Sequence, residues 1–298
     1  MSGVSFSPTI LFSRPITPSL ESYRNELHSK FNRQISLLLE SKAPKKQTTN
    51  KGRLNTRLAY RTPFSDAVFT QSQSIPSSDT TIIFLVDGSG SMDCVDNYKT
   101  HSRMEECSAV TSAFAKSVSR VLKDQLKIEV LVKSAPCVSS DNFGIEGSYP
   151  ILTRVYSNAK GKTKDYDKLL ALQCVSPIVN ENGRYINSYT AEYSILPCLM
   201  NWAKKNVTTK NIVVFNLTDG ETYSSVGKED FTFKNENTAE LKTKYLRGVP
   251  NTTLLVGNDL KANVAKTIYG QDLIVNNKTC FVTPMMRTLL KIIDGDIN

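Results

Sequence analysis

Histidine is almost absent from this sequence. There are two, His28 and His101, far apart along the chain. A zinc site built on imidazoles is therefore not expected. Cysteine is sparse and shows no pairing pattern. Cys94, Cys107, Cys137, Cys174, Cys198 and Cys280 include no C-x-x-C among 298 residues. Scattered in this way they read as reduced, mostly buried thiols, which sets the protein in the cytoplasm. No apolar run reaches the ~18 residues that span a bilayer. The N-terminus lacks the charged start, apolar core and cleavage site of a signal peptide. No membrane partner is expected. Internal repeats are absent too.

What is present is a globular composition, 40% hydrophobic and 22% charged, with a formal charge of +9. That charge is unevenly placed. Residues 1–61 hold 11 Lys/Arg against 3 Asp/Glu, a net of +8, and residues 62–298 hold 26 against 25, a net of +1. The basic pI therefore belongs to the N-terminal segment. It reads either as an arm for an acidic surface or nucleic acid, or as a solvated extension.

Within that segment, Leu20, Tyr23, Leu27, Phe31, Ile35 and Leu38 recur at spacings of three and four. This predicts an amphipathic helix over Ser19–Ser41, with Ser19 as its cap after Pro18. The organisation expected is a basic arm with this helix at 1–50, a connecting segment packed on the main domain at 51–78, and a main domain at 79–298. In the main domain strands and helices alternate. Strands are predicted at 80–86, 128–134, 153–156, 211–217, 252–256 and 273–275. Helices are predicted at 104–123, 191–205, 237–246, 260–268 and 284–293. Strands 80–86 and 211–217 are continuous apolar runs, as expected where helices cover both faces of a sheet. The fold class is α/β: a doubly wound, mostly parallel sheet flanked by helices, with an N-terminal helical arm.

In such sheets ligands sit beyond the carboxyl ends of the strands. The first strong strand ends there in Asp87-Gly88-Ser89-Gly90-Ser91. A phosphate loop would close with Lys-Ser/Thr, and no Lys follows. A nucleophile elbow needs glycines two residues either side of the Ser; Ser89 is flanked by Asp87 and Ser91, and Ser91 by Ser89 and Asp93. An EF-hand loop begun at Asp87 would want Gly and Glu where Met92 and Tyr98 stand. What remains is D-x-S-x-S, either an ordinary turn or three hard oxygen ligands suited to magnesium or manganese. Glycines at 88 and 90 let that loop turn tightly.

A second buried-type strand ends in Thr218-Asp219-Gly220-Glu221. Two carboxylates at one sheet edge repel each other unless a cation lies between them. Thr190, ahead of the predicted helix at 191–205, is a candidate cap and a candidate metal hydroxyl. Ser188 is its rival. Asp93 and Asp96 form an acidic rim or a solvated loop, and Trp202 is expected in the core.

At these residues the chain resembles the von Willebrand factor A (VWA) domain with a metal-ion-dependent adhesion site (MIDAS). The resemblance covers roughly residues 75–297 and rests on Asp87, Ser89, Ser91, Thr190 and Asp219-Gly220. Gly52-Arg53-Leu54, a stretch with Phe69, TTIIFLVDGSGSM and TTLLVGNDL (252–260) are similar in order to the cobaltochelatase T subunit and related proteins that accompany MoxR-like ATPases in bacteria and phages. The resemblance implies a bound Mg2+ or Mn2+, with Ser89, Ser91 and Thr190 as direct ligands. Asp87 and Asp219 would hold it through water. One coordination position is left for a partner's acidic side chain. The implied partner is a hexameric MoxR-like AAA+ ATPase or its client, and the implied role is an adaptor with no catalysis of its own. Where the T subunit carries a long acidic region, this chain has a short basic arm. A chelatase subunit proper therefore stays as an alternative. So do a nucleic-acid-associated protein, a virion structural protein, and an enzyme using Asp87 as a phosphoryl-transfer nucleophile, although the motif loops lack a histidine base.

Overall fold

The computed structural model describes residues 14–42, 47–49, 53–54, 69–71, 79–96, 99–122, 126–136, 151–158, 165–172, 188–189, 192–219, 245–257, 273–275 and 281–294. In chain order the elements are α1 (Pro18–Lys42), β1 (Gln47–Thr49), β2 (Arg53–Leu54), β3 (Phe69–Gln71), β4 (Thr80–Asp87), a 3₁₀ turn (Gly90–Asp93), α2 (Arg103–Val121), β5 (Leu126–Pro136), β6 (Ile151–Ser157), α3 (Tyr166–Leu170), β7 (Ser188–Tyr189), α4 (Glu192–Asn206), β8 (Asn211–Thr218), β9 (Asn251–Leu255), β10 (Leu273–Val275) and α5 (Val282–Asp294).

The main sheet runs β10-β9-β8-β4-β5-β6, with β7 paired to the end of β5. The pairs β10–β9, β9–β8, β8–β4 and β4–β5 are parallel. Strands β6 and β7 run antiparallel to β5. Leaving β7 aside and numbering these strands by sequence gives 3-2-1-4-5-6, the doubly wound order whose switch point lies between the first and fourth strands. Here those are β4 and β8. The antiparallel member, β6, is at the edge, a common place for one in an otherwise parallel sheet. Strands β1, β3 and β2 form a separate antiparallel sheet.

Every residue of β4 is buried. Its two faces meet different layers, because strand side chains alternate. Ile82, Phe84 and Val86 join the cluster built with α1, α2 and α5. Ile83 and Leu85 join the cluster of Ile195, Leu199 and Trp202 on α4. The Trp202 ring is buried, as expected, with the Arg154 guanidinium 5.8 Å from its centroid.

The N-terminal helix forms where the periodicity places it, one residue earlier. Its cap is Thr17 rather than Ser19: Thr17 Oγ1 accepts from the Leu20 N–H at 3.2 Å. Pro18 takes the first helical position, where a missing N–H costs nothing. Leu20, Leu27, Phe31 and Ile35 are buried in the same cluster as β4 and α2. Phe114 of α2 joins the layers. Its ring lies 5.3 Å from Phe31, 5.4 Å from Phe84 and 6.4 Å from Phe215, in edge-to-face geometry. Helix α1 is thus a packed layer, although it belongs to the basic segment of the sequence.

The helices expected at 237–246 and 260–268 lie outside the described residues, except for the last two residues of the first. So does most of 51–78. Helix α3 and strand β7 were not expected; both are short and fall in a stretch without clear periodicity. The three described cysteines are free, Cys107 buried, Cys198 half-buried and Cys94 exposed. No helix among the described residues is long and apolar enough to cross a membrane.

Candidate functional site

The two motif loops meet at the switch point. Val86 of β4 pairs with Leu217 of β8, so Asp87 and Asp219 emerge from neighbouring strands at the same carboxyl edge. The Asp87 side chain is completely buried. Its Oδ1 accepts from the Ser89 N–H at 2.9 Å, and its Oδ2 accepts from Thr218 Oγ1 at 2.7 Å. Thr218 therefore ties the second loop to the first carboxylate.

Beyond Asp87 the chain stays extended through Ser89 (φ −66°, ψ 156°) and then enters the 3₁₀ turn. That path brings Ser89 Oγ and Ser91 Oγ within 3.1 Å of each other. Adjacent ligands of an octahedral magnesium ion lie about 3.0 Å apart, from ligand distances of about 2.1 Å. The hydroxyl pair fits such an edge, and it also satisfies an ordinary hydrogen bond. Gly88 is needed for close approach more than for turning. A Cβ there would lie 2.7 Å from Val132 Cγ1 and 3.1 Å from the Lys133 carbonyl oxygen. The Gly88 N–H donates to that same carbonyl at 2.8 Å.

Thr190 lies outside the described residues. Ser188 lies in β7, paired with Pro136 at the end of β5, and its side chain is not described. Two of the three expected hydroxyls and both carboxylates are thus placed at one edge. Among the described residues no group of three or more His, Cys, Asp and Glu side chains is arranged to hold a metal. The donor set here is instead hydroxyl-based, with Ser89 and Ser91 as the residues that would hold Mg2+ or Mn2+.

Three residues at this edge were not singled out from the sequence. Lys133 of β5 is 1% exposed, and its ammonium donates to Asn216 Oδ1 of β8 at 2.9 Å. Burial pulls its pKa down to about 8, although the Asp87 and Asp219 charges act against that shift. Arg103, the first residue of α2, donates from Nη1 to Asp219 Oδ2 at 2.7 Å. Its Nε and Nη2 reach Asp96 Oδ1 at 3.1 and 2.8 Å. Burial disfavours its charge most, but the two carboxylates together hold its pKa above the ordinary value. Arg14, just ahead of α1, pairs with Asp93 at 2.7 Å and Glu105 at 3.0 Å, tying the N-terminal segment to the site loop. The signal for Lys133 was a charge inside an apolar strand run. Nothing local marks Arg103 or Arg14.

The acidic rim divides accordingly. Asp93 is half-exposed on Arg14, whereas the Asp96 side chain, 9% exposed, is an anchor for Arg103. Below them Cys107 is a neutral thiol, its pKa pushed well up by burial and by the carboxylates around it. His101 stacks on Tyr23 with ring centroids 5.3 Å apart, and its Nδ1 is 3.9 Å from Glu105.

Lys133 makes stability depend on pH. Its folded pKa of about 8 lies below the 10.5 of the free side chain, so between these values the unfolded chain binds the extra proton. Stability then rises with pH across that window. The buried ammonium costs about 3 kcal/mol below it, a cost that disappears above it. Urea denaturation in chelator from about pH 7.5 to about pH 10.5 should show the unmodified protein gaining about that much relative to Lys133→Met. A difference that stays flat with pH would contradict this.

No protein-family model matches the sequence. No curated protein matches it either. Among solved structures, the human COPII-coat protein Sec24c is similar over 72% of this chain and 32% of its own, at 9% identity and a TM-score of 0.34. An adhesive tip pilin from group B Streptococcus agalactiae is similar over 54% and 52%, at 12% identity and a TM-score of 0.27. A membrane-spanning protein from Vibrio fischeri, described as uncharacterised, is similar over 70% and 97%, at 13% identity and a TM-score of 0.25. This chain thus spans about a third of Sec24c and about half of the pilin chain. At these scores the likenesses carry no argument about what the protein does.

Proposed function

We propose that this chain is a non-catalytic, VWA-type adaptor that binds a protein partner through a divalent cation. The observation that carries the reading is the meeting of Asp87, Ser89, Ser91 and Asp219 at the switch point of the sheet, with the two hydroxyls 3.1 Å apart. Ser89, Ser91 and Thr190 would be the direct ligands. Asp87 and Asp219 would hold the ion through water. Bound there, Mg2+ or Mn2+ supplies a positive charge that neutral hydroxyls leave under-compensated, so an acidic side chain of a partner is attracted to it. Asp87 is oriented by Thr218 and the Ser89 N–H, and Gly88 lets the loop press against β5. The partner class, a MoxR-like AAA+ ATPase or its client, comes from the order of segments that resembles cobaltochelatase-type proteins.

The basic arm gives less support to a nucleic-acid role. Arg14 is engaged with Asp93 and Glu105, and Arg24 with Glu21 and Asp167. A mobility shift of DNA or RNA that is lost without residues 1–61 would favour that role instead.

The test is binding of a MoxR-like ATPase from the same genome, with Mg2+ and after EDTA. Affinity should fall at least about tenfold in EDTA, and equally in a Ser89→Ala/Ser91→Ala double variant with Mg2+ present. Unchanged binding in both would sink the metal-bridged contact.

A further inference from the structure

We propose that Arg103 is a built-in counter-ion of this site: its guanidinium holds Asp219 when no divalent ion is bound, and the ion must compete with it for that carboxylate. The inference rests on the metal-site reading above and specifies how that site is set.

The position is not explained by the helix itself. The first turn of a helix carries a partial positive charge, so a cation at its first residue is disfavoured. Arg103 stands there nonetheless, with its side chain only 10% exposed. The partners that hold it are Asp96 on the extension of the first loop and Asp219 at the end of β8. Asp96 takes the Nε and Nη2 edge of the fork, which leaves Nη1 directed at Asp219.

The surroundings fix this arrangement from three sides. Ser102 and Glu105 form a reciprocal capping box that locks the first turn of α2. The Arg103 N–H donates to the Cys94 carbonyl at 3.1 Å, joining α2 to the turn that carries Ser91. Gly257, just beyond β9, has φ +123°, and a Cβ on it would lie 2.9 Å from Arg103 Nε. Only glycine accepts that backbone angle readily, and only glycine leaves space for the guanidinium.

Asp219 is therefore a carboxylate with a cation already in place. Ser89 and Ser91 would hold a divalent ion only with Asp219 shared with, or released by, Arg103. Charges a few ångströms apart in a largely buried site interact strongly. Neutralising Arg103 therefore removes a repulsion from the ion and releases a carboxylate to it. The native site would bind its ion weakly by itself. A partner's carboxylate, by adding negative charge, would strengthen that binding.

Mn2+ titration followed by electron paramagnetic resonance decides the matter, using the full chain, Arg103→Met, Arg103→Gln, Arg103→Lys and Asp87→Ala. Circular dichroism in EDTA checks folding. Both neutral variants should bind Mn2+ at least about tenfold more tightly than the unmodified protein, and Arg103→Lys within about threefold of it. Asp87→Ala should not bind. If the unmodified protein binds Mn2+ and the neutral variants bind it equally or less well, the counter-ion role is overturned while the metal site stands. If neither the unmodified protein nor the neutral variants bind, both fall. The unmodified protein offers a second readout that needs no variant to fold: saturating Mg2+ should shift the Arg103 Nε–H resonance, and an unmoved resonance at saturation overturns the proposal.

Discussion

Replacing Asp87 by alanine is expected to abolish divalent-ion binding and to lower stability by about 3–5 kcal/mol. Both effects come from one buried carboxylate. It is 0% exposed, and it accepts from the Ser89 N–H and from Thr218 Oγ1. Alanine removes both acceptors at once, and a buried donor left without an acceptor costs about 1–3 kcal/mol. It also removes the largest favourable charge acting on Lys133, whose ammonium is already disfavoured by burial. Asp87→Asn separates the two effects. The amide keeps one acceptor and nearly the same volume, so the loss of stability should be smaller, about 1–2 kcal/mol, while the ion is still lost with the charge. Urea denaturation and Mn2+ binding, measured on both variants, check this. If Asp87→Asn bound the ion as tightly as the native protein, the carboxylate would have no part in the site.

The second large effect belongs to the core. Phe114→Ala should destabilise the fold by about 3–5 kcal/mol, the usual range for removing a buried phenylalanine ring. The upper half of that range is expected here. The ring contacts Phe31, Phe84 and Phe215, so its loss opens a gap shared by α1, β4 and β8, which cannot all close on it at once. Phe31→Ala removes the partner on α1 and should cost about as much on its own. Because the two rings touch, the double variant should cost less than the sum of the two singles. Strict additivity in denaturation would mean that α1 is not packed through Phe114. The point bears on function because α2 starts at Arg103. The aromatic stack holds the helix that delivers that residue.

Much of the fold was legible because the signals were local. Continuous apolar runs marked β4 and β8, and three-four spacing marked α1. Each depends only on residues a few positions apart, and the chain obeyed them. The antiparallel edge strand β6 was less legible. Thr153 and Arg154 break its apolar run, and strand direction depends on the path between strands rather than on the strand itself. The packing of α1 was hidden by its charge. Of the basic residues along the helix, Lys30 and Arg33 are exposed and Arg24 is buried against Glu21 and Asp167, and burial of the helix follows its apolar stripe.

For the candidate site, the sequence alone marked the oxygens at Asp87, Ser89, Ser91 and Asp219. Asp87, Ser89 and Ser91 are set by a strand running into a short loop, and Asp219 by the end of another strand. Alternation and turn chemistry suffice for both. Only the tertiary structure decided the cations. Arg103 and Asp219 are 116 residues apart, and Lys133 and Asn216 are 83 apart. Neither pairing has a local signature, because each exists only once the strand order places β5, β4, β8 and β9 side by side. The sequence determined where negative charge and hydroxyls leave the sheet. The fold determined which positive charges they meet there, because electrostatic pairing follows distance in space and not distance along the chain.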